Sequence, residues 1–176
     1  MKRMILIFAI ILISETIFAQ SGAAPLSKGE NQVNFGLGLN SDSYIPYFGA
    51  DYAIHNDWTT GLSILFVIDE KVSMGPVDRV DYSLHALGRV DYHWNRLIGI
   101  PSYWDFYLGA SVGFGFISDD SFVIALGLQL GGRLYINDKW GVNVEFGGGG
   151  GSIASMGVSM KLGTKQSGKH TLGLIH

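Results

Sequence analysis

Period-two alternation recurs eight times along this 176-residue chain, and the two parities differ in size. The fourth segment shows it best. Val80, Tyr82, Leu84, Ala86, Gly88, Val90, Tyr92 and Trp94 alternate with Asp81, Ser83, His85, Leu87, Arg89, Asp91 and His93. The fifth sets Trp104, Phe106, Leu108, Ala110, Val112, Phe114 and Phe116 against Tyr103, Asp105, Tyr107, Gly109, Ser111, Gly113 and Gly115. The other segments begin near Val33, Tyr47, Thr59, Phe122, Trp140 and Ser155, and repeat the division. No segment of this set carries a helical period. Tight turns, "HNDW" and "INDKW", follow the second and sixth segments. Consecutive hairpins of this kind predict an all-β, eight-stranded antiparallel up-and-down meander.

Size decides which parity faces inward. An eight-stranded barrel has an interior only just wide enough to be filled by side chains. Small and polar residues suit it better than the Trp, Phe, Leu and Ile of the other parity. Turning the large apolar set outward calls for an apolar solvent. In water the exposed band would far exceed the few hundred Å² usual for a monomer. In a bilayer a closed barrel pairs every backbone group and leaves no edge. The expected fold is therefore a transmembrane β-barrel, with runs long enough for the roughly 9–11 tilted residues that a spanning strand needs.

The start of the chain fits that reading. Lys2 and Arg3 precede an unbroken apolar run from Met4 to Ile13, then Ser14, Glu15 and Thr16, with Ala19 before Gln20. This order predicts a signal peptide over residues 1–19, too short in its apolar part to span as a helix. The barrel is expected over 20–164 and a C-terminal tail over 165–176. Glycine is 25 of 176 residues, about twice the usual share of roughly 7%. With only 4 prolines, this favours sheet with close backbone approach over disorder. The formal net charge of −3 shows no clustered basic surface, so no nucleic-acid partner is expected. The absence of cysteine excludes thiolate metal sites, thiol catalysis and a lipid-modified N-terminal cysteine.

Trp58, Trp94 and Trp140 share outward parity at one rim, and Trp104 adds a fourth near a strand end. They predict an aromatic girdle at the water–lipid boundary. Inward parity collects Asp51, Asp81, Asp91, Asp105 and Glu145 with Arg89, Arg133 and Lys161. His85 joins them, with His55 and His93 as further candidates. Charges in a narrow lumen must pair or be hydrated, so a structural polar network is expected. The alternative is a narrow path for protons or small solutes. Asp81, Ser83 and His85 also share one face, which raises a lipid-directed enzyme as a second alternative. Side chains two apart on a strand run parallel, which is not expected to aim the histidine at the serine. His85 and His93 lie about 27 Å apart at ordinary strand rise and cannot share a metal ion. Neither a catalytic residue nor a metal or cofactor site is therefore expected. The run "GGGGG" lacks the GxxxxGK[ST] pattern and is expected to be slack strand end and loop rather than a phosphate cradle.

The signal peptide, the hairpin "GGRLYINDKWGVNVEFG" and the last strand "GVSMKLG" resemble the small outer-membrane β-barrel proteins of Gram-negative bacteria, of the OmpA-transmembrane-domain or opacity-protein kind. The resemblance covers the whole chain after residue 19. It implies export and barrel-assembly machinery as transient partners, the outer-membrane lipid bilayer as the resident one, and a monomer. Short turns would lie at the periplasmic rim. Loops on the outside would carry any extracellular ligand. Two departures stand out: no peptidoglycan-binding domain follows, and the end "KQSGKHTLGLIH" lacks the terminal aromatic common in such barrels.

Overall fold

The structure is a computed structural model that describes residues 24–40, 43–71, 79–117 and 121–163, with the side chains of residues 70, 71 and 79–81 excepted. The expected signal peptide and C-terminal tail lie outside these residues.

Eight strands close into a barrel in chain order, each antiparallel to its neighbours. They are β1 (Asn31–Asn40), β2 (Ser43–His55), β3 (Trp58–Lys71), β4 (Arg79–His93), β5 (Trp104–Ile117), β6 (Phe122–Tyr135), β7 (Trp140–Gly149) and β8 (Ser152–Leu162). β1 closes on β8 through nine consecutive pairs, from Asn31↔Leu162 to Leu39↔Ala154. The link after β4 contains a one-turn helix α1 (Asn95–Ile98). Gly99 ends it in the left-handed region at φ 69°, where glycine carries no β-carbon penalty.

The period of two becomes an inside and an outside. Along β5 the burial of alternate residues changes at almost every step, with Asp105, Tyr107 and Ser111 buried and Leu108, Val112, Phe114 and Phe116 exposed. The outward set is apolar all round the wall, from Phe35 on β1 to Met156 on β8. Near one rim stand Trp58, Tyr92, Trp104 and Trp140; Trp58 and Tyr92 are in ring contact at 5.0 Å. Towards the other rim Phe114, Phe116 and Phe122 pack together, and Phe66 stacks on Tyr82. From Tyr82 to Tyr92 along β4, at about 3.4 Å per residue and a tilt of roughly 40°, the apolar band is about 26 Å tall. That matches the thickness of the lipid-facing band of a spanning barrel.

Two expectations about the interior need correction. Rings do fit inside: Tyr107 and Tyr135 are buried in the lumen and Tyr47 is half-buried there. Inward glycines on other strands make the room. A β-carbon on Gly131 would overlap Cζ of Tyr107, and one on Gly157 would sit 2.6 Å from the Tyr47 hydroxyl. The lumen is also not polar throughout. Ile45, Leu65, Val67, Leu87 and Ala125 form an apolar cluster toward the rim away from the termini. At the opposite rim the lead-in to β1 buries Leu26, anchored by the Gly29 N–H donating to the Ala53 carbonyl at 2.8 Å.

Candidate functional site

Most of the inward charged side chains converge in the lumen. β2, β5 and β6 bring Asp51, Asp105 and Arg133 together. Arg133 donates from Nη1 to Asp105 Oδ2 at 2.9 Å and from Nη2 to Asp51 Oδ2 at 3.0 Å. Asn34 and Gln32 of β1 also donate to Asp51 Oδ2, at 2.8 and 3.3 Å. His93 Nδ1 lies 2.6 Å from Asp105 Oδ1, and its Nε2 lies 3.0 Å from the Thr59 hydroxyl.

A second group sits beside it. Arg89 donates from Nε and Nη2 to both oxygens of Asp91, and from Nη2 to Glu145 Oε2 at 2.7 Å. Gln129 donates to Asp91 Oδ1 at 2.9 Å. Tyr107 joins the two groups. Its hydroxyl donates to Glu145 Oε2 at 2.7 Å, while the Arg133 guanidinium carbon lies 4.3 Å from its ring centroid. A chain of neutral groups extends the network, from Tyr47 through Asn143 and Ser159 to Asn34. Such pairing and hydrogen bonding is what makes buried charge tolerable.

Not every inward candidate takes part. Lys161 lies apart, with its Nζ 3.8 Å from the Tyr135 ring centroid, a cation–π contact. His55 leaves the lumen because the β2–β3 register shifts between Ala53 and His55; it is exposed at the turn, 3.5 Å from Asp57. The side chain of Asp81 is outside the described set, though its backbone pairs with Asp69. Trp94 caps α1 and is half-buried there. Sequence reasoning did not single out Gln32, Asn34, Gln129 or Asn143. Their inward parity was the available signal; their amide chemistry gave no reason to rank them above other polar residues.

The serine–histidine expectation also changes. Ser83 Oγ lies 3.1 Å from His85 Nε2, so the two do meet. Opposite them, a β-carbon on Gly115 would sit 2.5 Å from the His85 ring. The missing side chain leaves room for the imidazole to lie along the wall toward Ser83. Among the described residues no third group orients it: His85 Nδ1 is buried without a partner there. Asp69, the nearby carboxylate on β3, takes the Ser43 hydroxyl instead. Among the described residues the pair lacks the carboxylate that fixes tautomer and direction in a serine hydrolase.

Side chains of the two ion-paired groups and Tyr107 fill the middle of the interior among the described residues. A lumen cavity of about 40 Å³ lies between Tyr47, Arg89, Tyr107 and Glu145, roughly enough for a water molecule. A much larger hollow, about 1180 Å³, lies on the outer wall over Ala50, Gly88 and Ala110. Apolar outward neighbours such as Leu62, Val112 and Leu128 border it, so it is part of the lipid-facing surface. Groups of three or more potential metal ligands are absent among the described residues.

Fold and lumen together define an eight-stranded transmembrane β-barrel with an ion-paired interior. Among solved structures, the chain is similar to a de novo designed transmembrane β-barrel, at TM-score 0.55 and 19% identity over 78% of this chain and 98% of that one. It also aligns with Ail, the attachment invasion locus protein of Yersinia pestis, at TM-score 0.46 and 12% identity, over 76% and 95% of the two chains. The N-terminal β-barrel domain of Pseudomonas aeruginosa OprF aligns at TM-score 0.47 and 14% identity, over 78% and 100%. No family model and no curated protein matches the sequence.

Proposed function

We propose that this chain is a non-enzymatic integral protein of the Gram-negative outer membrane, exported by the signal peptide of residues 1–19. It serves a structural or surface-interaction role as a monomer, with specificity in the loops away from the termini. One observation carries this reading: large apolar side chains cover the outer wall while ion pairs fill the lumen. That inversion suits lipid as the surrounding solvent. Outer-membrane fractionation followed by a detergent gel, with and without heating, tests it. Membrane recovery and faster migration of the unheated barrel are expected; a soluble periplasmic protein indifferent to heating would sink it.

Two other readings have their own measurements. The plugged lumen argues against a narrow channel, so planar bilayers should show no steady unitary conductance. The Ser83–His85 contact favours a lipid hydrolase, but the unoriented imidazole argues against it. Purified protein should leave phospholipid and lipopolysaccharide acyl chains intact. Turnover abolished by Ser83→Ala would establish the enzyme instead.

A further inference from the structure

The glycine run does not behave as slack loop. Gly147, Gly148, Gly149, Gly150 and Gly151 all have positive φ, between 62° and 109°. The segment turns into the barrel mouth. Gly150 is buried, and a β-carbon there would lie 3.2 Å from Leu65 and 3.5 Å from Leu87. Gly148 and Gly149 cross the inner face of Gly127, where a β-carbon would overlap them. Two side chains hold the segment: the Ser111 hydroxyl donates to the Gly148 carbonyl at 2.7 Å, and the Asn40 amide donates to the Gly151 carbonyl at 2.9 Å.

This turn leaves a strand uncovered. β6 pairs with β5 up to Phe116↔Phe122, but with β7 only as far as Gln129↔Gly147. Among the described residues, 122–128 therefore have no strand pairing on the β7 side, although Gly149 crosses that edge at Leu126–Gly127. Ile124, Leu126 and Leu128 are 72%, 72% and 75% exposed, the highest values on the wall. An uncovered edge at the lipid boundary is unfavourable, since lipid cannot satisfy its backbone groups. Continuing the β7 register would set Gly149 opposite Gly127 and Gly151 opposite Ala125.

We propose that residues 147–151 form a strap with two seats. In one it is tucked into the lumen mouth on Leu65 and Leu87, as in this structure. In the other the irregular end of β7, which here is shifted against β8 between Phe146 and Gly149, keeps the regular β7 register along the edge of β6. Glycine passes between left-handed and extended backbone with no β-carbon penalty, so the exchange is open to this segment and closed to most others. The first seat gains apolar contact and the two side-chain latches; the second gains ladder hydrogen bonds. Moving to the second seat uncovers the apolar cluster at the far mouth, while the ion pairs below still block passage.

The absence of native cysteine allows a direct test. Leu87→Cys places a thiol beneath the strap; Thr59→Cys places an equally buried one at the opposite end of the lumen, away from the strap. In folded, heat-modifiable protein, Leu87→Cys should react with a water-soluble maleimide faster than Thr59→Cys. Adding Asn40→Ala and Ser111→Ala should raise the Leu87→Cys rate about thirtyfold, the effect of losing two ordinary hydrogen bonds. Equal rates at the two thiols, or no response to latch removal, would overturn the proposal. Relaxation dispersion on the unmodified chain gives a second reading: one exchange process should be shared by the amides of Gly148, Gly150 and Ile124. Flat profiles at all three would also overturn it. Neither result depends on the cellular location proposed above.

Discussion

Arg133 shows how a single side chain holds three strands. It is 2% exposed and bonds to carboxylates on β2 and β5 from its place on β6. Arg133→Ala would leave Asp51 and Asp105 facing each other without their shared cation, a loss of about 3–5 kcal/mol for a broken buried pair. Urea unfolding in lipid vesicles should show it as a lower midpoint at nearly unchanged slope. Gly131 and Tyr107 make a steric counterpart. Gly131→Ala collides with the Tyr107 ring and should cost about 1–3 kcal/mol as overpacking. Tyr107→Ala alone loses a buried ring and its bond to Glu145. In the double variant the collision vanishes, so the two effects should be clearly less than additive, which a double-mutant cycle measures.

At the scale of the strand, depth in the band sets the effect of a substitution. β3 presents Trp58 near one rim and Leu62 nearer the middle, both outward. Leu62→Arg should destabilise the barrel by about 2–4 kcal/mol, against roughly 0–1 kcal/mol for a charge at the interface such as Trp58→Arg. Equal losses at the two positions would contradict a lipid band centred between the girdles. Loss of the Trp58 ring contact with Tyr92 adds a smaller term to the second variant. Folding yields of the two variants in vesicles give the comparison. Elements also resist prediction unequally. Strand existence was legible for all eight, because alternation persists over whole turns of the sheet. Strand ends were less so: β2 starts at Ser43, before Pro46, because Pro46 stays opposite Leu37 of β1 while the pairing with β3 skips Ile45 and Pro46, where proline has no N–H to donate.

For the whole molecule, the barrel should prefer a membrane whose hydrocarbon thickness matches its band. Spontaneous folding into vesicles should be most efficient near a hydrophobic thickness of about 26 Å and fall in thicker bilayers, where mismatch must be absorbed. Insensitivity to chain length would argue that the apolar wall is not a spanning surface. The same closure explains why so little room remains inside. Eight strands leave a narrow lumen, and here tyrosines, ion pairs, an apolar cluster and the glycine strap occupy it.

The sequence by itself determined the strand count, the meander order and the inversion of faces, because period-two alternation survives without any knowledge of partners. It also marked the charges that point inward, since parity is a local property. Only the tertiary structure decided how those charges pair. Arg133 reaches Asp51 from 82 residues away in sequence, a contact set by barrel closure and strand stagger. It likewise decided that His85 meets Ser83, because the space opposite comes from Gly115 on the next strand. The five glycines were visible from the start as freedom of the backbone. Their direction into the mouth depends on Ser111, Asn40, Leu65 and Leu87, which come from four other strands and touch the run only after the barrel has closed.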